Sequence, residues 1–146
     1  MTADAYADSS FLVSLHSADA NHGNAVAFLS KSALSLTYSP LHRIEVRNAL
    51  RNLTAAGVMT TVGCRRAFRQ LEEDLRDGFL VHATIDWADV LRRADELSEK
   101  HSSKDGQRAI DLLHVSLALE LKMKVFLTFD IRQARLARAV GLRIKP

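Results

Sequence analysis

Short apolar segments alternate with longer amphipathic segments along the chain. The short segments have the length of buried strands and lie at residues 5–7, 34–38, 79–83, 125–129 and 142–144. The longer segments predict helices at residues 9–15, 24–31, 40–53, 60–77, 87–100, 107–122 and 130–140. Strands that alternate with helices are typical of an α/β fold with a mostly parallel sheet. We see no linker or internal repeat, so we expect a single domain over residues 1–146.

The composition agrees with a globular domain and excludes several other classes. Of the 146 residues, 47% are apolar and 25% are charged, unlike disordered, collagenous or coiled-coil chains. With one cysteine, Cys64, the chain can form neither an internal disulfide nor a Cys-based zinc site. No apolar run approaches about 18 residues, and Asp4 stands where a signal peptide carries basic residues. We therefore expect no membrane association and a cytoplasmic location.

Two acidic residues lie at predicted strand-to-helix junctions. Asp8 follows the first apolar strand and Asp130 follows the fourth, and a helix is predicted after each. Either residue can be interpreted simply as a helix N-cap, a position that Asp favours. The carboxyl ends of parallel strands are also where the ligand sites of such sheets lie.

Two further acidic residues lie inside predicted helices. Glu45 is spaced by four from Leu41 and Ala49, which places it on a mainly apolar side, although it could be an edge residue that pairs with a nearby Arg. Asp111 lies in a helix that is apolar nearly all round, where an ionised carboxylate is costly unless it is paired or bound to a metal. Arg108 is close enough in sequence to make a structural ion pair the alternative.

If these helices reach the two strand ends, four carboxylates meet. Two unit charges about 4 Å apart repel by about 4 kcal/mol at an effective dielectric of about 20, so such a cluster needs cations. Oxygen ligands without Cys favour Mg²⁺ or Mn²⁺ over zinc. A site of this kind suits hydrolysis of a phosphodiester bond by a metal-activated water.

The histidines and the search for nucleotide-binding motifs do not change this prediction. The six histidines show no shared metal-ligand spacing. His114, three residues after Asp111, could orient that carboxylate or face a dimer partner, but a core histidine is the simpler interpretation. The chain has neither a Walker-type phosphate loop nor a G-x-G-x-x-G motif, which disfavours enzymes that use nucleotide cofactors.

The order of the motifs resembles a PIN domain and, more narrowly, the toxin ribonucleases of VapC-type toxin–antitoxin pairs. The resemblance covers essentially the whole chain. It rests on Asp8-Ser9-Ser10 after the first strand, Glu45 in the third helix, the segment 108–114 around Asp111, Thr128-Phe129-Asp130 after a late strand, and a closing segment over residues 126–142.

The resemblance implies a fold and a site. The fold would be an α/β/α sandwich around a central, mostly parallel sheet of four to five strands. An acidic quartet would bind one or two Mg²⁺ or Mn²⁺ ions and carry catalysis, formed by Asp8, Glu45, Asp111 and Asp130. Ser10 and Thr128 would supply hydroxyls that orient the carboxylates or a water, and Arg108 would lie at the edge of the site.

The resemblance also implies an activity and partners. The activity would be metal-dependent endoribonuclease cleavage, commonly of structured RNA such as transfer RNA. A cognate antitoxin protein would inhibit the enzyme, and the chain would form a homodimer.

Basic residues are compatible with an RNA substrate. The net charge of +3 and the pI of about 9.3 permit a nucleic-acid partner without requiring one. Candidate phosphate contacts lie on the third and last predicted helices, at Arg43, Arg47, Arg132 and Arg135. Such contacts give affinity without sequence choice. Alternatively, these arginines only solvate their helices or complement helix C-termini.

Three other functions compete with this interpretation. The chain could be a non-catalytic PIN-fold module that binds RNA or protein, although the intact quartet argues against it. A phospho-accepting receiver domain needs paired acids after the first strand and a late Lys, and a haloacid-dehalogenase-type hydrolase needs Asp-x-Asp. Asp8 is followed by Ser9-Ser10, and the segment 128–130 contains no Lys, so both are disfavoured.

Overall fold

The computed structural model describes residues 2–146, and Met1, the first residue of the predicted domain, lies outside them. Strands form at β1 (Tyr6–Ala7), β2 (Leu36–Tyr38), β3 (Leu80–His82), β4 (Val125–Leu127) and β5 (Arg143–Lys145). Helices form at α1 (Ser9–His16), α2 (His22–Ser32), α3 (Pro40–Ala55), α4 (Thr61–Arg76), α5 (Trp87–His101), α6 (Ala109–Glu120) and α7 (Ile131–Ala139). Every predicted strand and helix is present. Some bounds differ, because apolar residues such as Leu34 and Phe129 pack into the core beyond the strand ends.

All strand pairs in the described chain are parallel. One group has the order β1-β4-β5, and β2 pairs with β3. An isolated parallel bridge between Ala5 and Leu36 joins the two groups, which gives the order β3-β2-β1-β4-β5. The prediction of a parallel sheet of four to five strands is confirmed.

The central strands supply two cores, because successive side chains point to opposite faces of a sheet. Ala7 and Leu127 pack with α1 to α4 on one face. Tyr6 and Phe126 pack with α5, α6 and α7 on the other. Helices therefore cover both faces, which confirms the predicted α/β/α sandwich.

Asp8 and Asp130 both cap helices. The Asp8 side chain accepts a hydrogen bond from the backbone N–H of Phe11 at the start of α1. The Asp130 side chain accepts from the N–H groups of Arg132 and Gln133 at the start of α7. Capping fixes each carboxylate at a strand-to-helix junction. The two interpretations of these residues, helix cap and candidate site residue, are therefore compatible.

Helix α6 is the buried helix predicted around Asp111. Leu112, Val115, Leu117 and Ala118 are buried, and the helix packs mainly against α5. Neither α6 nor any other helix within residues 2–146 combines the length and the apolar character needed to cross a membrane.

Candidate active site

A cavity of about 480 Å³ opens beside the carboxyl ends of β1 and β4. The chain builds β1, β2 and β3 toward one edge of the sheet and places β4 and β5 on the other side of β1. The strand order therefore reverses between β1 and β4. In open parallel sheets a crevice forms at such a switch point, and ligands bind there.

All four predicted acids line this cavity. Asp8 and Asp130 reach it from the ends of β1 and β4, Glu45 from α3, and Asp111 from α6. The structure thus brings together carboxylates from four separate elements. Ser10 and Arg108, two of the predicted supporting residues, also line the cavity.

Asp8 is the most buried member of the quartet, with 6% of its surface exposed. Its Oδ1 accepts hydrogen bonds from the Ser10 hydroxyl (2.8 Å) and the Phe11 N–H (2.9 Å). Its Oδ2 accepts from the Thr128 hydroxyl at 2.6 Å. Burial raises the pKa of Asp8, and these hydrogen bonds oppose that shift without cancelling it. The ionised Asp8 side chain is therefore suited to act as a ligand of a cation.

Thr128 joins the ends of the two central strands. Its hydroxyl donates to Asp8 and accepts from the N–H of Asp130 at 3.0 Å. We expect Thr128→Val to lower the free energy of unfolding by about 1–3 kcal/mol, because a buried carboxylate oxygen loses its partner. Urea denaturation measures this change.

Ser10→Ala is the matched control for Thr128→Val. In the wild type the Ser10 hydroxyl also donates to Asp8, but to Oδ1. This oxygen keeps its hydrogen bond from the Phe11 N–H when the Ser10 hydroxyl is removed. The smaller loss should therefore occur in Ser10→Ala. An equal loss in both variants would contradict the special role of the link between β1 and β4.

Glu45 is held by two side chains that the sequence did not assign to the site. Its Oε1 accepts from the Ser9 hydroxyl at 2.7 Å and pairs with His114 Nε2 at 2.5 Å. Burial alone would raise the pKa of Glu45, but the interactions with His114 and Ser9, together with the charge of Arg108, outweigh burial and lower it. Glu45 is therefore poised as a carboxylate.

Ser9 and His114 could have been suspected from their spacing. Ser9 directly follows Asp8, and His114 lies one helical turn after Asp111 on the same face of α6. His114 is a buried core histidine, as the simpler interpretation held. It also lines the cavity, and it contacts Glu45 rather than Asp111.

Asp111 and Asp130 share one counter-ion. Arg108 donates through Nε to Asp111 Oδ2 at 2.9 Å and through a terminal nitrogen to Asp111 Oδ1 at 3.3 Å. The same terminal nitrogen lies 3.6 Å from Asp130 Oδ2. The structural ion pair proposed as the alternative for Asp111 is therefore present, and it lies inside the cavity. The Arg108 side chain is 65% exposed, so it can leave this position without unpacking the core.

The donor set suits a hard divalent cation. Four carboxylates line one cavity, and oxygen ligands are those that Mg²⁺ and Mn²⁺ prefer. In the present arrangement, no three His, Cys, Asp or Glu side chains within residues 2–146 are close enough to hold a metal ion. Arg108 already neutralises Asp111 and Asp130. The residues fit a cation by their chemistry, and a cation bound to these two acids would compete with Arg108.

The four arginines suggested as RNA contacts fall into two groups. Arg43 and Arg47 point from α3 toward α4, where both pair with Glu72 at 3.2 Å and 2.5 Å. Arg132 and Arg135 lie on α7, which begins at the cavity, and they contact the carbonyl of Gly106 and the carboxylate of Asp105. Only the α7 pair lies on an element that starts at the acidic quartet.

Comparison with solved structures finds the same fold in several bacterial proteins. Similar structures include VapC20 of Mycobacterium tuberculosis, described as a sarcin-ricin loop cleaving toxin, with 18% identity, a TM-score of 0.65, and coverage of 97% of this chain and 98% of that one. FitAcB of Neisseria gonorrhoeae matches at 15% identity with a TM-score of 0.64, covering 97% of this chain and 96% of that one. VapBC2 of Rickettsia felis, bound to a DNA fragment from its promoter, matches at 15% identity with a TM-score of 0.61 and 96% coverage of both chains.

The sequence comparisons identify a family but no individual curated relative. A search of curated proteins finds no match. The similarity to solved structures confirms the predicted VapC-type resemblance at the level of the fold. The model of the PIN domain family matches residues 5–139, which is most of the chain and includes all four members of the quartet. The protein therefore belongs to the PIN domain family.

Proposed function

We propose that this protein is a Mg²⁺- or Mn²⁺-dependent endoribonuclease and the toxin of a type II toxin–antitoxin pair. The observation that carries the proposal is the placement of Asp8, Glu45, Asp111 and Asp130 around one cavity at the switch point of a PIN-domain sheet. The four carboxylates that line this cavity carry more negative charge than Arg108 alone compensates, and a divalent cation would balance the rest.

The residues in and beside the cavity would have different roles. The acidic quartet would hold the cation, with Asp8 fixed by Ser10 and Thr128. A bound Mg²⁺ or Mn²⁺ supplies Lewis acidity toward the scissile phosphate and the attacking water. Arg132 and Arg135 would bind RNA phosphates beside the cavity, which gives affinity without sequence choice. We assign no unique general base among the carboxylates.

The substrate and partners follow from the same proposal. VapC20 is described as cleaving the sarcin-ricin loop, which supports structured RNA as the substrate class here, transfer RNA included. FitAcB and VapBC2 support a cognate antitoxin as the inhibitory partner. We further propose a homodimer that acts in the cytoplasm, where its RNA substrates would be found.

The pairing of Arg108 favours a second candidate function. Because Arg108 neutralises Asp111 and Asp130, the acids have a structural explanation that needs no metal. The protein would then be a non-catalytic PIN-fold module that binds RNA or another protein. Such a module has no reason to bind a divalent cation at this cavity.

Metal dependence distinguishes the two candidates. The purified protein is expected to bind Mn²⁺ by calorimetry and to cleave structured RNA in Mg²⁺ or Mn²⁺, with cleavage lost in a chelator and restored by added metal. Glu96 is an exposed acid on α5 that pairs with Arg92, so Glu96→Gln should leave Mn²⁺ binding and RNA cleavage unchanged. RNA binding without Mn²⁺ binding or cleavage would support the non-catalytic module instead.

A further inference from the structure

A buried chain of hydrogen bonds runs from the sheet to the acidic quartet. The hydroxyl of Tyr6 in β1 lies 2.6 Å from His114 Nδ1, and His114 Nε2 lies 2.5 Å from Glu45 Oε1. Tyr6 is fully buried and His114 is 2% exposed. Three elements, β1, α6 and α3, are therefore linked by side chains that meet at one carboxylate of the site.

The direction of this chain follows from what each group can donate. An ionised carboxylate only accepts, so His114 Nε2 carries the hydrogen that points to Glu45. The other ring nitrogen, Nδ1, lies beside the Tyr6 hydroxyl. The His114 ring is therefore held at both of its nitrogens.

These hydrogen bonds fix one carboxylate oxygen of Glu45 and leave the other available. Both the Ser9 hydroxyl and His114 Nε2 contact Oε1, and no described residue hydrogen-bonds to Oε2. Glu45 lines the cavity. An outer-shell donor that holds one oxygen of a ligating carboxylate sets its orientation and tunes its affinity for a metal. A buried imidazole that served only to fill the core would not need to meet a carboxylate of the cavity.

We propose that His114 is a positioning residue that orients Glu45 toward the cation, with Tyr6 fixing the angle of its ring. The proposal rests on the proposed metal-dependent nuclease function. It differs from the interpretation in which His114 orients Asp111, since that carboxylate is held by Arg108. His114 does not contact substrate, and it acts through Glu45.

The test compares variants of His114 and Tyr6 by their affinity for Mn²⁺ alone. His114→Leu removes the donor, and its Mn²⁺ affinity should fall at least about tenfold, the usual cost of losing an outer-shell partner. His114→Gln keeps an N–H donor and should restore most of the affinity. Tyr6→Phe removes one oxygen atom and should show a smaller loss than His114→Leu, because Tyr6 contacts His114 and not Glu45. In RNA cleavage, kcat should fall in the same order while KM for RNA changes little.

Two controls separate positioning from damage to the core. Ser116→Ala removes another buried side-chain hydrogen bond from α6, the one to the Val90 carbonyl, and should lower stability without changing Mn²⁺ affinity. In a Glu45→Gln background, His114→Leu should cause no further loss of Mn²⁺ affinity, because the residue through which it acts is already altered.

The outcomes distinguish this inference from the function on which it depends. Wild-type Mn²⁺ affinity in His114→Leu, or an equal loss in Ser116→Ala, would overturn the positioning role while leaving the nuclease function intact. If His114→Leu does not fold, unchanged Mn²⁺ affinity in Tyr6→Phe overturns the role instead. Absence of both Mn²⁺ binding and RNA cleavage in the wild-type protein would refute the proposed function and this inference with it.

Discussion

Asp8→Asn is expected to reduce RNA cleavage by more than about 100-fold while leaving the protein at least as stable as the wild type at pH 7. The loss should exceed the usual cost of removing an outer-shell partner of a metal, because Asp8 is proposed as a direct ligand. The amide keeps the shape of the carboxylate, and its oxygen can still cap α1 through the Phe11 N–H. The hydroxyls of Ser10 and Thr128 can turn to suit it.

The stability of Asp8→Asn follows from the direction of the Asp8 pKa shift. Burial raises this pKa in the folded protein, so the folded state binds the proton more tightly than the unfolded chain. Wild-type stability therefore decreases as the pH rises from the ordinary pKa of Asp through the raised one. Asn has no such cost, so its advantage should be complete above the raised pKa and should vanish below the ordinary value.

Urea denaturation of both proteins across this pH range, with a chelator present, measures the difference. Glu96→Gln is the control, since it neutralises an exposed acid far from the cavity. RNA cleavage by purified Asp8→Asn at the wild-type rate would refute its role in the quartet. A variant that is less stable than the wild type at every pH would show that the Asp8 carboxylate is a net stabilising group.

Arg108→Ala is expected to bind Mn²⁺ about tenfold more tightly than the wild type. Arg108 contacts Asp111 and Asp130, so it would compete with a cation bound to these acids. Two unit charges about 4 Å apart interact by about 4 kcal/mol at an effective dielectric of about 20. Exposure of Arg108 and solvent screening reduce the net competition to about 1.4 kcal/mol, which corresponds to the tenfold change.

Calorimetric titration of Mn²⁺ at two salt concentrations tests this competition. The matched control is Arg92→Ala on α5, where an exposed Arg likewise pairs with two acids, Asp89 and Glu96, outside the cavity. Its Mn²⁺ affinity should equal that of the wild type. Weaker Mn²⁺ binding in Arg108→Ala would indicate that Arg108 supports the cation site rather than competing for it.

Much of the fold could be predicted because its signals are local. Apolar strands, amphipathic helices and capping residues such as Ser39 with Pro40 are set by neighbours in sequence, and all of the predicted elements form. The position of the four acids beside one cavity could also be predicted, because a carboxylate such as Asp111 in an apolar helix differs from its surroundings. The bridge between Ala5 and Leu36 that unites the sheet has no such local signal.

The remaining features depend on which elements pack together. The pairing of Arg43 and Arg47 with Glu72 exists only because α3 lies against α4. His114 meets Glu45 across 69 residues of chain, so spacing within α6 could not identify its partner. The pairing of Arg108 with Asp111 could be predicted from their spacing at the start of α6, whereas its contact with Asp130 depends on how α7 lies against α6.

The pairing of β1 with β4 determines when the acidic cavity can form during synthesis of the chain. Thr128 and Asp130 follow a strand that can dock beside Tyr6 and Ala7 only after the chain has been synthesised past that strand. A nascent chain, or a fragment cut before residue 125, carries Asp8, Glu45 and Asp111 but lacks the strand that closes the crevice. Under the proposed function, RNA cleavage would thus require synthesis of the chain through β4, and partial chains that stop before this strand would be inactive.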